Sequence, residues 1–127
     1  SEHVLVVHAD DGLDEISIAS STRVAELKAG SVHSYQVSPD QFGMKTGNVA
    51  ELAVENAQQS LTMINRVLDD TPGPAHDIVA LNAGAAIYAA GVADSLQAGV
   101  EVAQQAIASG AAKQKLKDLI ELSNSFK

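Results

Sequence analysis

Two hydrophobic rhythms divide the chain, and they change over between residues 38 and 50. Before that point apolar residues fall in short runs of strand length. Val4 to His8 is an apolar run filled on both faces, as in an interior parallel strand, and Ile16 to Ala19 is a shorter run of the same kind. Val24 to Lys28 and Val32 to Val37 flank Ala29-Gly30-Ser31, which predicts a hairpin whose Gly takes a positive φ. On the second hairpin strand His33 and Tyr35 share one face while Val32 and Ser34 share the other, and both ring residues read as structural.

From Ser38 to Asn48 the chain reads as loop, punctuated by Pro39, Gly43 and Gly47. Beyond it the spacing becomes helical. Ala57, Leu61, Ile64 and Leu68 recur at four-three-four spacing and predict one buried stripe. Asp69 to Pro74 holds two prolines and a glycine and ends that helix. A second helix is expected from about Ala75 to Ala90, with Gly91 suited to its C-terminal cap. Ala83, Gly84, Ala85, Ala86 and Ala89 would let its backbone approach a neighbour closely, so it is expected to be central. Asp94 with Gln97 resembles a capping box opening a third helix, whose stripe is Leu96, Val100, Ala103 and Ile107. Gly110 ends it, and Lys113 to Leu122 forms a last helix with Leu116, Leu119 and Ile120 inward. The expected organisation of residues 1–127 is therefore a single α/β unit: strand-rich over 1–37, loop over 38–50, helical over 51–127.

Charge is placed unevenly. Glu2, Asp10, Asp11, Asp14 and Glu15 all lie in the first fifteen residues, with no Lys or Arg among them. Adjacent carboxylates in a loop after a strand suit a hard divalent cation, because Mg²⁺ takes oxygen ligands and uses only one or two protein carboxylates. Composition alone favours the plainer reading of a solvated acidic turn. Over the whole chain acids outnumber Lys and Arg sixteen to eight, for a formal charge of −8, which argues against nucleic acid as a partner. Lys113, Lys115 and Lys117, with Asp118 and Glu121 beside them, read as a solvated helix face. There is no cysteine, hence no thiolate metal site and no need of an oxidising compartment. Ser1 to Val7 lacks the basic and apolar regions of a signal peptide, and the weakly polar run Ile78 to Ala93 is too short for a membrane span, so a cytoplasmic setting is expected. His3, His8, His33 and His76 are scattered without zinc-site spacing, and no Gly-x-Ser-x-Gly elbow or Gly-Lys-Ser/Thr phosphate loop is present. His8 at its strand end reads as structural, and Asn82 and Tyr88 as packing and hydrogen-bonding residues.

The segment Val6-Val7-His8-Ala9-Asp10-Asp11-Gly12-Leu13-Asp14-Glu15 resembles the Gly-Leu-Asp-Glu motif of anthranilate phosphoribosyltransferases, which follows a Val-Val-His-Gly strand end. Thr22 to Leu27, Ser38 to Gly43, Glu55-Asn56-Ala57, Leu81 to Tyr88, Ala93 to Leu96 and Ile107 to Ala112 are similar to later stretches of the same family, in the same order. Ala9 departs from the family, which often has Gly there. The family's Gly-rich phosphate loop, Lys-His-Gly-Asn segment and anthranilate-binding arginine lie upstream of the matched part, and none occurs in this sequence.

The resemblance implies the C-terminal part of a phosphoribosyltransferase/nucleoside phosphorylase-like α/β domain: strands and a hairpin followed by about four helices. It implies a parent enzyme that moves phosphoribosyl from phosphoribosyl pyrophosphate to anthranilate in tryptophan biosynthesis, with Mg²⁺ as cofactor and a homo-oligomer as its assembly. Under it Asp14 and Glu15 are the metal ligands, with Asp11 contributing through water. Anthranilate contacts, and with them activity, would need the absent part. A nucleoside phosphorylase shares the broader architecture, but the Asp-Gly-Leu-Asp-Glu stretch favours the anthranilate enzyme. A nucleic-acid-binding relative would need a basic surface, and a stable unit without activity is the remaining alternative.

Overall fold

Residues 2–127 are described by the computed structural model. Three strands, β1 (His3–Ala9), β2 (Thr22–Lys28) and β3 (Ser31–Val37), precede four helices: α1 (Ala57–Leu68), α2 (Pro74–Ala89), α3 (Leu96–Ala108) and α4 (Ala111–Ser125). Short 3-10 turns at Pro39–Phe42 and Val49–Leu52 break the connecting loop. The architecture is α/β, strands and a hairpin followed by four helices, as the sequence leads one to expect.

Sheet order is β1-β2-β3, antiparallel throughout. The β2–β3 hairpin turns on Ala29 and Gly30, both at positive φ (50° and 79°), as a two-residue turn matching the strand twist requires. The parallel pairing expected of Val4 to Val7 is with strands upstream in a longer parent; among the described residues β1 pairs with β2 alone. The loop after β1 reverses the chain, with the Asp10 N–H donating to the Ser21 carbonyl at 2.9 Å, so β2 returns antiparallel with Val6 opposite Ala25. Leu5 and Val7 face the core half-buried, while Val6 on the other face is 63% exposed. The far edge of β1 pairs with no strand among the described residues.

Ile16 to Ala19 is not a strand either. Ile16, Ser17 and Ile18 are buried, yet their polar groups are met by side chains and a neighbouring loop rather than by a ladder. The Ser17 N–H donates to Thr22 Oγ1 at 3.1 Å, and the Ile18 carbonyl accepts from the Gly47 N–H at 2.7 Å. The apolar run marks burial correctly, but buried backbone satisfied in this way need not be β.

Ile16, Ile18, Val24, Val37, Met44, Ala80, Leu81 and Val100 form the core between the sheet and α2. α2 is central, and the small residues explain how. A Cβ on Gly84 would lie 2.6 Å from Val100 Cα of α3, and one on Gly99 would lie 2.2 Å from the Gly84 carbonyl oxygen. Only paired glycines let these two backbones touch. α2 ends at Ala89, and Gly91 follows its cap at φ 76° in the left-handed conformation that such a position favours. α3 starts one residue later than the Asp94–Gln97 pattern suggests: Ser95 is the cap, its Oγ accepting the Ala98 N–H at 3.1 Å. Val100, Ala103 and Ile107 are buried as expected. α4 departs more. Of its expected inward residues only Leu116 is half-buried, and Leu119 is 61% exposed.

A polar cluster fastens the sheet to α2. Glu26, on the core face of β2, accepts from Tyr88 Oη (2.6 Å) and Tyr35 Oη (2.9 Å), and its Oε1 lies 2.8 Å from His3 Nε2. Lys28 Nζ donates to Tyr88 Oη at 3.1 Å. Burial pushes the Glu26 carboxyl up, but hydrogen bonds from Tyr88, His3 and Tyr35 outweigh it and hold the carboxyl below the ordinary value of 4.5. A depressed carboxyl stabilises the fold fully above the unfolded value and loses that contribution as pH falls through the folded one. Unfolding titrations from pH 7 to pH 3 should therefore show a steeper acid-side loss of stability in the unaltered protein than in Glu26→Gln. Equal slopes would show that this carboxylate does not govern acid stability.

Candidate functional site

The acidic loop after β1 is closed by its own side chains. Asp11 Oδ1 accepts the Leu13 N–H at 3.1 Å, and Asp11 Oδ2 accepts the Ser17 hydroxyl at 2.5 Å. The Ser17 bond is the main reason that the Asp11 carboxyl sits below its usual range; burial opposes it, and the Leu13 N–H and Ser20 hydroxyl add to the lowering. The Ala9 N–H donates to the Leu13 carbonyl at 3.0 Å, and the Asp11 N–H to Ser20 Oγ at 3.2 Å. Asp11 is thus occupied in shaping the loop.

Asp14 and Glu15 are exposed side by side on this loop. Among the described residues neither forms an ion pair; the nearby Arg23 instead lies 3.5 Å from Asp10. No group of three or more His, Cys, Asp or Glu side chains among the described residues is arranged to hold a metal ion. What the loop offers is an open pair of hard oxygen donors. Such a pair suits Mg²⁺, which keeps several waters and shares its coordination with phosphates.

The two acids are among the residues lining an apolar groove of about 560 Å³, with Leu52, Val54, Met63, Ile64 and Ile78. α1 departs from the expected buried stripe of Ala57, Leu61, Ile64 and Leu68: Leu61 and Ile64 are each 45% exposed, Ile64 and Leu68 line this groove, and the one buried residue is Val67, outside the stripe.

The other sequence candidates lie elsewhere. His8 is exposed on the outer sheet face opposite Arg23, and His3 belongs to the Glu26 cluster. His76 contacts Asp70 (3.0 Å) and Asp77 (3.4 Å) near the start of α2. Lys113 pairs with Asp69, and Lys115 lies 3.9 Å from Asp118, in keeping with a solvated face. Two residues near the acids carry more than their pattern suggests, namely Asn82, which bonds the Ile16 backbone, and Ser17, which bonds Asp11. The available signal was one amide inside an Ala- and Gly-rich helix, and one hydroxyl between two isoleucines.

No helix among the described residues is long and apolar enough to cross a membrane. Over 126 residues the chain is 58% identical to an anthranilate phosphoribosyltransferase of Methylococcus capsulatus, covering 99% of this chain and 37% of that protein. The crystal structure of the anthranilate phosphoribosyltransferase from Thermus thermophilus superposes with a TM-score of 0.81 at 35% identity, over 91% of this chain and 34% of that one. That from Saccharomyces cerevisiae in complex with PRPP and Mg shares the fold, with a TM-score of 0.83 at 21% identity over 95% and 35%. The chain thus spans little more than a third of the length of the relatives it matches. Residues 1–113 match the family described as glycosyl transferase family, a/b domain, and the chain belongs to that family.

Proposed function

We propose that the protein containing this chain transfers phosphoribosyl from phosphoribosyl pyrophosphate to the amine of anthranilate, a step of tryptophan biosynthesis. This chain would be the C-terminal portion of its α/β domain, and Asp14 and Glu15 would hold Mg²⁺. The observation that carries the reading is the exposed Asp14–Glu15 couple, without an ion pair among the described residues, on a loop closed by its own hydrogen bonds, within a chain 58% identical to an anthranilate phosphoribosyltransferase. Mg²⁺ bound there would offset the charge of the pyrophosphate as it leaves. The chain's own contribution is to present two adjacent, exposed carboxylates on a hydrogen-bonded loop. Positioning and charge stabilisation carry such a reaction, so no protein nucleophile is required. A homo-oligomer in the cytoplasm, with no nucleic-acid or membrane partner, completes the proposal.

Loss of anthranilate fluorescence on mixing with phosphoribosyl pyrophosphate tests it. The intact protein should consume anthranilate only when Mg²⁺ is present. The 127-residue chain alone should show no turnover, because it has no Gly-rich phosphate loop and no Lys-His-Gly-Asn segment. Phosphorolysis of a nucleoside by the intact protein, with no anthranilate consumed, would overturn the assignment.

A further inference from the structure

Asp14 and Glu15 are the two residues between a pair of anchored neighbours. Before them, Leu13 has both backbone groups engaged, its N–H by Asp11 Oδ1 and its carbonyl by the Ala9 N–H. After them, buried Ile16 has both backbone groups engaged by one side chain. Asn82 Oδ1 accepts the Ile16 N–H at 2.9 Å, and Asn82 Nδ2 donates to the Ile16 carbonyl at 2.9 Å. The second hydrogen of that amide goes to the Ile78 carbonyl at 3.0 Å, one turn earlier in α2. The amide cannot flip without setting its NH₂ against the Ile16 N–H, so its orientation is fixed. It acts on Ile16 as a neighbouring strand would, but from the central helix.

We infer that Asn82 is the positioning residue of the Asp14–Glu15 pair, tying the carboxylates to α2, with Ser17 as the second clasp through Asp11. The inference rests on the metal reading above. Its physical basis is that two adjacent carboxylates bind a small cation well only if their backbone is held. A free loop would lose conformational entropy on each binding event, whereas an anchored loop has lost it on folding. α2 is itself locked against α3 at Gly84 and Gly99, so the anchor is on a rigid element.

The test uses the intact enzyme with phosphoribosyl pyrophosphate present and anthranilate omitted, so that nothing turns over. Mn²⁺ binding is followed by electron paramagnetic resonance, and exchange of the Ile16 amide hydrogen by mass spectrometry. Asn82→Ala should weaken Mn²⁺ binding by roughly 10- to 100-fold, the usual effect of removing a group that orients a metal ligand. It should also speed Ile16 exchange, with circular dichroism unchanged. Ser17→Ala should shift Mn²⁺ affinity in the same direction by less, and it alone decides the matter if Asn82→Ala does not fold. A purely structural role would lower the melting temperature and leave the Mn²⁺ affinity of the folded fraction untouched, and that result overturns the inference. Asp14→Asn/Glu15→Gln separates the two levels. If it sharply weakens Mn²⁺ binding while Asn82→Ala and Ser17→Ala bind normally, only the positioning inference fails. If it binds Mn²⁺ normally, the metal reading fails and the inference falls with it.

Discussion

Asp14→Asn combined with Glu15→Gln in the intact enzyme should lower Mg²⁺-dependent turnover on the order of 100-fold while barely moving the melting temperature. The two expectations come from the same geometry. Both side chains are exposed and make no ion pair among the described residues, so the fold loses little when they are neutralised. The cation they would hold under the proposed function would offset charge on the leaving pyrophosphate, an effect of several kcal/mol for a bound metal. Each 1.4 kcal/mol is about tenfold in rate, and residual binding through phosphates and water keeps the loss partial. Steady-state rates across a Mg²⁺ series check the first part, and calorimetry checks the second. Unchanged rates at saturating Mg²⁺ would remove the two carboxylates from the mechanism. A large drop in melting temperature would instead mark them as structural.

Gly99→Ala should destabilise the fold by about 3 kcal/mol, at the upper end for an overpacking substitution. The new Cβ would lie 2.2 Å from the Gly84 carbonyl oxygen, which is backbone and cannot rotate aside. α2 and α3 must separate, and separation opens the core around Leu81 and Val100. Gly91→Ala is the contrast. Nothing lies within 4 Å of its added Cβ, and its cost of about 1 kcal/mol comes only from the left-handed backbone. Chemical denaturation of both variants measures the difference, and equal midpoints would contradict the close α2–α3 contact.

Much of this arrangement is legible in the residues. The turn at Ala29-Gly30, the hairpin it joins, the four helices and the small-residue face of α2 follow from local rules of turn geometry and spacing. So does the exposed acid pair after β1, since charge on a Gly-containing loop has nowhere to go but solvent. Errors arise where one apolar pattern has two physical explanations. Ile16 to Ile18 look like strand residues because they are buried, but their backbone is satisfied by Asn82 at Ile16, Thr22 at Ser17 and Gly47 at Ile18, all distant in sequence or on another element. Val4 to Val7 is apolar on both faces as the pattern says, and Val6 on the outer face is 63% exposed. Leu61, Ile64, Leu119 and Ile120 have helical spacing, which tells that a stripe exists without telling what covers it. The Asn82 anchor is invisible for a related reason: its partner lies 66 residues away.

The most direct test of the central claim is a crystal structure of the intact enzyme with Mn²⁺ and phosphoribosyl pyrophosphate, with the ion located by its anomalous scattering. The account predicts the ion on the carboxylates of Asp14 and Glu15, with Ile16 still held by Asn82. A well-occupied ion bound only by phosphates and by residues outside this chain, with both carboxylates turned to solvent, would contradict it.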